Sequence, residues 1–192
     1  QLGLFSQLSY SLDGDASCRL LKTGINDSYL ITSNTIKYVF RVNSLNWRSE
    51  KEIEEEIRLL NLLKKNGMPV SYPIADATGN YIQEFAAPEG RRFGVMFSFA
   101  RGEKLLNFPV DVHYKIGRIM AEIHRLTMDL NLNRVTYSHD VILVESFEHL
   151  KKFISIDTDE MIFMTSAQKY LLNELGQADV NQIRKGAVHL DI

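Results

Sequence analysis

Thr35-Ile36-Lys37-Tyr38-Val39-Phe40-Arg41-Val42-Asn43 is followed, five residues later, by Ser49-Glu50-Lys51-Glu52-Ile53-Glu54-Glu55-Glu56-Ile57, and these two segments decide the fold. In the first, Ile36, Tyr38, Phe40 and Val42 alternate with Lys37, Val39, Arg41 and Asn43, which is the period of a β-strand. Alternation sends successive side chains to opposite faces, so Val39 and Arg41 point the same way. In the second, Ser49 with Glu52 three residues on forms a capping-box pattern, which satisfies amide groups that a helix start leaves without partners. The spacing predicts a helix to Asn66, stopped by Gly67 with Pro69 beyond. Ile53, Ile57, Leu60 and Leu63 form its apolar stripe, and Glu52, Glu55 and Glu56 crowd the flanks.

Outward from this pair, residues 18–23 and 28–33 read as strands around the turn formers Gly24-Ile25-Asn26-Asp27, a hairpin. Residues 81–86 and 93–99 are two more strand candidates, joined by Ala87-Pro88-Glu89-Gly90, and the sheet so built is antiparallel. Past Arg101-Gly102 the period changes. Val112, Ile116, Ile119, Ile123, Leu126 and Leu130 recur at helical spacing, and 146–154 and 159–175 are further helical stretches. The switch divides the chain into a strand-rich part, 1–99, and a helical part, 100–192. The last segment, Gly186-Ala187-Val188-His189-Leu190-Asp191-Ile192, lacks helical period and is predicted to be a short strand entering a loop.

Composition bounds what such a fold does. With 22 Lys and Arg against 24 Asp and Glu, the net charge of -2 excludes the basic footprint of a nucleic-acid binder. No apolar run approaches the ~18 residues of a membrane span. The opening residues 2–12 lack the basic and continuous apolar regions of a signal peptide, so a cytoplasmic location is expected. The single cysteine, Cys18, rules out an internal disulfide and a thiolate-clustered zinc site.

A strand-rich part with one acidic helix, then a helical part ending in His189-Leu190-Asp191, resembles the protein-kinase-like phosphotransferases. More closely, it is similar to the aminoglycoside phosphotransferase and homoserine kinase group, the choline-kinase-like small-molecule kinases. The resemblance covers most of residues 22–191 and rests on the order and spacing of motifs that are individually weak. It implies an α+β, bilobal, protein-kinase-like fold: a nucleotide-binding lobe over 1–99, then a hinge and a partial helical substrate lobe. It also implies ATP or GTP with Mg2+, and a hydroxyl of a small polar molecule as acceptor, such as an aminoglycoside, homoserine or another amino alcohol or sugar.

By that resemblance Gly24, Asn26 and Ser28 belong to the hairpin that covers the nucleotide phosphates, although alone they are an ordinary turn. Arg41 takes the place of the strand lysine that grips the α- and β-phosphates, and its neighbour Val39 packs on the base. A guanidinium binds phosphate through two parallel hydrogen bonds, a geometry that differs from that of an ammonium. Glu56 matches the helix glutamate that orients this cation, with Glu55 as the other candidate. Phe97 stands behind the base, while the Ser98 carbonyl and the Ala100 amide read its edge. His124 is assigned a packing role. His189 and Asp191 match the catalytic loop, where the aspartate orients the attacking hydroxyl. A carboxylate suits this task, because a loose transition state asks for positioning and charge rather than covalent chemistry.

The family's magnesium ligands, an asparagine and a later aspartate, would follow Ile192, so no metal ligands are assigned within the sequence and a fragment of a longer kinase is expected. Arg41 for lysine and Leu190 for the commoner glycine keep a second possibility in play, a non-catalytic nucleotide-binding scaffold; a protein serine/threonine kinase of the same superfamily is a third. Purine preference, acceptor and oligomeric state stay open.

Overall fold

The computed structural model describes residues 2–102, 107–179 and 186–187. Its elements run α1 (Leu2–Ser9), β1 (Ala16–Lys22), β2 (Asn26–Ser33), β3 (Ile36–Asn43), α2 (Glu50–Lys65), β4 (Pro73–Ile74), β5 (Ile82–Ala87), β6 (Gly90–Ser98) and α3 (Val110–Thr127). A π-helix, Asp140–Glu145, then leads into α4 (Ser146–Leu150), and α5 (Asp159–Gln177) follows. The six strands form one sheet ordered β1-β2-β3-β6-β4, with β5 also paired to β6, and every pairing is antiparallel.

The alternation along β3 gives each face of the sheet its own core. On one face Phe40 lies opposite Tyr29 on β2 and Met96 on β6, and Ile31 and Val42 complete a buried cluster. Phe5 of α1, Tyr10 and Phe85 surround the Phe40 ring edge to face, with centroids 6.1, 6.5 and 5.7 Å away. The α1 helix was not foreseen; Leu2 and Phe5 gain burial only by reaching a sheet distant in sequence. A Cβ on Gly94 would stand 2.7 Å from the Phe40 ring and 2.9 Å from that of Phe85, so the cluster closes only over a residue without one.

The opposite face receives α2. Ile53 and Ile57 pack on Val95 and Phe97, with Leu60, Tyr81, Ile82 and Phe93 around them. The predicted capping box is present in both directions: the Ser49 side chain accepts from the Glu52 amide and the Glu52 carboxylate accepts from the Ser49 amide. This fixes where α2 starts, and therefore which residues face the sheet.

The helical stretches deviate more from expectation. Residues 146–154 are helical only as far as Leu150, and the preceding turn is a π-helix whose Leu143 carbonyl accepts a hydrogen bond from Gln168 on α5 at 2.5 Å. Packing divides the chain into two compact units, residues up to Asn133 and residues Arg134–Gly186. The predicted change of period near residue 100 matches the end of β6, but the packing division falls later. The reason lies in the segment after α3: the Arg58 guanidinium donates to the Asn131 carbonyl, and the Asn133 amide to Glu55, which ties this segment to α2. The predicted terminal strand lies almost wholly outside the described residues.

Candidate functional site

Arg41 is the only strand residue among the expected site residues whose side chain carries a charge, and the fold supplies its partner. On α2, Glu56 sits next to Ile57 and one turn after Ile53, at the border of the buried stripe. It therefore faces the strand rather than solvent, and its Oε1 lies 2.6 Å from Arg41 Nη2, each side chain being 25% exposed. Glu55, the alternative, is turned to Arg58 at 2.6 Å, whose hydrogen bond holds the Glu55 carboxyl below the usual range. The Arg41 guanidinium also lies over the Phe97 ring, 4.5 Å from its centroid. Its Nε is shut off from solvent and has no hydrogen-bond partner.

Strand register sorts the neighbours into two rows. Val39 lies between Leu30 on β2 and Phe97 on β6, an apolar row. Two residues further along, Arg41 lies opposite Ser28, and Ser28 opposite Lys22. Lys22 joins the polar row because the β1–β2 register shifts between Leu20 and Lys22, leaving Leu21 as an extra bulged residue; without the bulge Leu21 would face Ser28. An apolar strip beside a strip carrying two cations and a hydroxyl suits a ligand with a flat ring at one end and anionic oxygens at the other.

The turn beyond these rows is braced from both sides. Gly24 has φ of 155° with nothing near the position of a Cβ, a conformation that glycine adopts freely and other residues rarely do. The Ser44 hydroxyl donates to the Gly24 carbonyl at 3.2 Å, and the Ser44 amide to the Ile25 carbonyl at 3.2 Å. On the opposite face Asp27 pairs with Arg92 at 2.7 Å. Burial alone would lower the Arg92 pKa, but the Asp27 carboxylate outweighs it and the guanidinium is held above its usual value. Asn26 starts β2 on the Arg41 face, and its Oδ1 is buried with no hydrogen-bond partner.

At the end of β6, Ser98 is fastened to the segment before β4. Its amide donates to the Tyr72 carbonyl at 2.9 Å, its hydroxyl accepts from the Tyr72 amide at 3.0 Å, and its carbonyl accepts from the Ser71 hydroxyl. One lone pair on that carbonyl remains for a further donor. Ala100 is exposed just beyond. His124, expected to pack, is exposed on α3. His189 and Asp191 lie outside the described residues. The structure thus brings together Asn26, Ser28, Val39, Arg41, Glu56 and Phe97, with Gly24 at the turn and Ser98 at the strand end. Sequence reasoning missed Lys22, Ser71 and Tyr72; pairing Ser28 with Arg41 and continuing across the hairpin points to Lys22 only once the bulge is known. Among the described residues no group of three or more His, Cys, Asp or Glu side chains could hold a metal ion, and no helix is long and apolar enough to cross a membrane.

Comparison with known proteins bears on the family and the fold in which these residues sit. The model of a phosphotransferase enzyme family matches residues 18–155. An uncharacterised protein of Synechocystis sp. is 31% identical over 117 residues, covering 60% of this chain and 32% of the relative. One from Deinococcus radiodurans is 32% identical over 139 residues, covering 67% and 40%. Among solved structures, a microcompartment-associated aminopropanol kinase superposes with a TM-score of 0.74 at 20% identity, over 92% of this chain and 57% of its own. The amicoumacin kinase bound to AMP-PNP, Ca2+ and Ami gives 0.76 at 19% identity, over 98% and 57%. These likenesses show the protein-kinase-like α+β fold. The chain spans about a third to two fifths of the curated relatives it matches and somewhat over half of the solved structures.

Proposed function

Since the chain belongs to the phosphotransferase enzyme family, its model matching residues 18–155, we propose that it is the nucleotide-holding part of a small-molecule kinase. The reaction is transfer of the terminal phosphoryl group of ATP or GTP to a hydroxyl of a small polar molecule, an amino alcohol, aminoglycoside or sugar. The observation that carries this reading is the 2.6 Å Arg41–Glu56 pair, set one row away from the apolar strip of Leu30, Val39 and Phe97.

In this proposal the purine lies on the apolar strip and its edge meets the Ser98 carbonyl and Ala100 amide. Arg41, oriented by Glu56, binds the phosphates, with Lys22, Ser28 and the Gly24 turn alongside. A phosphoryl group in flight carries its charge on its oxygens, so fixed cations and amide groups lower the barrier without bonding covalently to it. Mg2+ arrives with the nucleotide, and the described residues offer no cluster of their own to hold it. Asp191 receives the hydrogen bond of the acceptor hydroxyl and accepts its proton as the new O–P bond forms and the bond to the nucleoside diphosphate breaks, with His189 the other residue of the His189-Leu190-Asp191 motif assigned to this step.

Calorimetric titration of the whole protein with ATP, GTP and ADP in the presence of Mg2+ tests this directly. Arg41→Ala should weaken nucleotide binding at least about tenfold, the size of a charge-assisted contact. Asp191→Asn should leave binding intact and lower transfer to the true acceptor by ~10²–10⁴-fold. Unchanged affinity in Arg41→Ala would remove the nucleotide assignment, and full activity in Asp191→Asn would remove the catalytic one.

A further inference from the structure

The same sheet face carries two polar atoms that are both buried and both without partners: the donor Arg41 Nε–H and the acceptor Asn26 Oδ1. The register places Ser28 opposite Arg41 and Asn26 opposite Asn43, so Asn26 is the diagonal cross-strand neighbour of Arg41 on that face. Diagonal pairs are within reach of long side chains. A buried donor and a buried acceptor left apart are each costly, and here they are complementary.

We propose that Asn26 is a positioning residue for Arg41: its amide oxygen accepts from Arg41 Nε–H, directly or through one enclosed water. This deepens the nucleotide-site reading, on which its functional consequence rests. Three groups then hold one guanidinium. Glu56 takes Nη2, the Phe97 ring supports the flat face, and Asn26 takes Nε, which leaves both N–H groups of Nη1 for phosphate oxygens. The choice of amide over carboxylate has a charge rationale. Glu56 already offsets much of the cation, and a second carboxylate at position 26 would cancel the positive charge that a phosphate needs.

The arrangement also links the turn to the strand cation. Asn26 directly follows the Gly24–Ile25 tip that Ser44 anchors, so any movement of the tip over a ligand moves Asn26 Oδ1 relative to Arg41. A lysine at position 41 has no donor at the Nε position and could not be held in this way.

The test uses the whole protein labelled with 15N-arginine. The Arg41 Nε–H signal is expected to exchange with water at least about tenfold more slowly than that of exposed Arg118, and Asn26→Leu to remove this protection. The same variant should weaken ADP binding by about five- to tenfold with an unchanged circular dichroism spectrum. In an Arg41→Lys background, which lacks the donor, adding Asn26→Leu should change ADP affinity less than about twofold. Multiplying effects in that cycle, or an Nε–H exchange rate indifferent to Asn26→Leu, would overturn the proposal. Should Asn26→Leu fail to fold, Asn26→Asp, which keeps the acceptor at full length, should retain slow exchange while Asn26→Ser loses it; equal exchange in the two would be equally fatal. If the wild-type protein binds no purine nucleotide, the functional reading falls, and the exchange experiment still decides whether Asn26 holds Arg41.

Discussion

Between Ala16 and Ser98 two apolar clusters are sealed inside, with Leu20, Leu21, Ile25, Ile36 and Trp47 left exposed around them, whereas after Ser98 few apolar side chains are buried. The sheet has α1 on one face and α2 on the other, and Ile31, Phe40, Ile53, Val95 and Met96 are sealed between these layers. Past Ser98, among the described residues, Thr127, Phe147 and Met161 alone are buried, while Val110, Tyr114, Phe153, Phe163 and Tyr170 are exposed. The difference teaches where a precise site can be built. A guanidinium held at 2.6 Å against a carboxylate needs a strand and a helix that cannot slide, and the sheet layers supply that.

The sharpest way to break the comparison is a matched pair of truncations. Phe40→Ala removes a ring with 0% exposure from the centre of an aromatic cluster and should cost about 3–5 kcal/mol of stability. Phe163→Ala removes a ring that is 72% exposed on α5 and should stay within about 0.5 kcal/mol. Denaturant titration followed by circular dichroism measures both. Similar losses in the two variants would mean that the layers are not what holds the chain together.

A smaller effect probes how closely the Phe40 cluster is packed. Gly94→Ala places a Cβ 2.7 Å from Phe40 Cε1 and Cζ, so the ring must move, and a loss of about 1–3 kcal/mol is expected. Gly117→Ala on α3 meets nothing within 4 Å and should be neutral or slightly stabilising, since alanine is the better helix former. Equal midpoints for the two variants would show that the Phe40 cluster gives way without resistance.

The contrast also explains what was legible in the sequence. The strand around Phe40, the capping box at Ser49 and the Ile53–Ile57 stripe are local patterns, and local patterns survive folding, so the pairing of Arg41 with Glu56 is legible from them. The α1 helix was not, because Leu2 and Phe5 carry no strong periodicity of their own and are fixed by contact with a sheet dozens of residues away. Lys22 was missed because a bulge changes which residue faces Ser28, and a bulge leaves no mark on a hydrophobic alternation this short. The helix expected over 146–154 starts where α4 does but stops at Leu150, and the π-helical turn before Ser146 has no counterpart in that expectation, because apolar spacing marks neither feature. The place of Asn26 beside the turn points to a phosphate contact, whereas its orphaned oxygen on the Arg41 face is visible only in three dimensions.

The caps of α2 and α5 allow the two regions to be compared at equal chemistry. The Ser49 hydroxyl accepts from the Glu52 amide at 3.3 Å and the Thr158 hydroxyl from the Met161 amide at 3.3 Å. Ser49→Ala and Thr158→Ala should each cost about 1 kcal/mol of local stability, read as faster amide exchange in the first turns of α2 and α5 respectively. Only the first should also weaken nucleotide binding, by a few-fold, because α2 carries Glu56. A nucleotide affinity altered equally by both variants would separate α2 from the site.

The gentlest probe is acid. Burial pushes the Asp76 carboxyl up, but hydrogen bonds from the Thr78 hydroxyl and amide at 2.7 and 2.8 Å, the Gln83 amide group at 2.9 Å and the Asn80 amide at 2.9 Å outweigh it, lowering the pKa from 3.8 to about 2. The Ser49 amide likewise holds Glu52 below the usual carboxylate range. A carboxyl whose folded pKa is depressed stabilises the fold above its unfolded pKa, and that contribution disappears as the pH falls through the folded value. Stability of the sheet part should therefore decline from about pH 4 and go on declining towards about pH 2. Asp111 and Glu122 on α3 are also lowered, chiefly by hydrogen bonds from Lys115 and Arg125, but these pairs are exposed and half-molar salt should erase their part of the slope. The Asp76 part should persist in salt, because its partners are neutral amides and a hydroxyl. Asp76→Asn should accordingly start less stable at pH 6 yet lose less between pH 4 and 2.5 than the wild type. Parallel pH curves for the two proteins in high salt would show that the Asp76 turn contributes nothing to the acid sensitivity of the sheet.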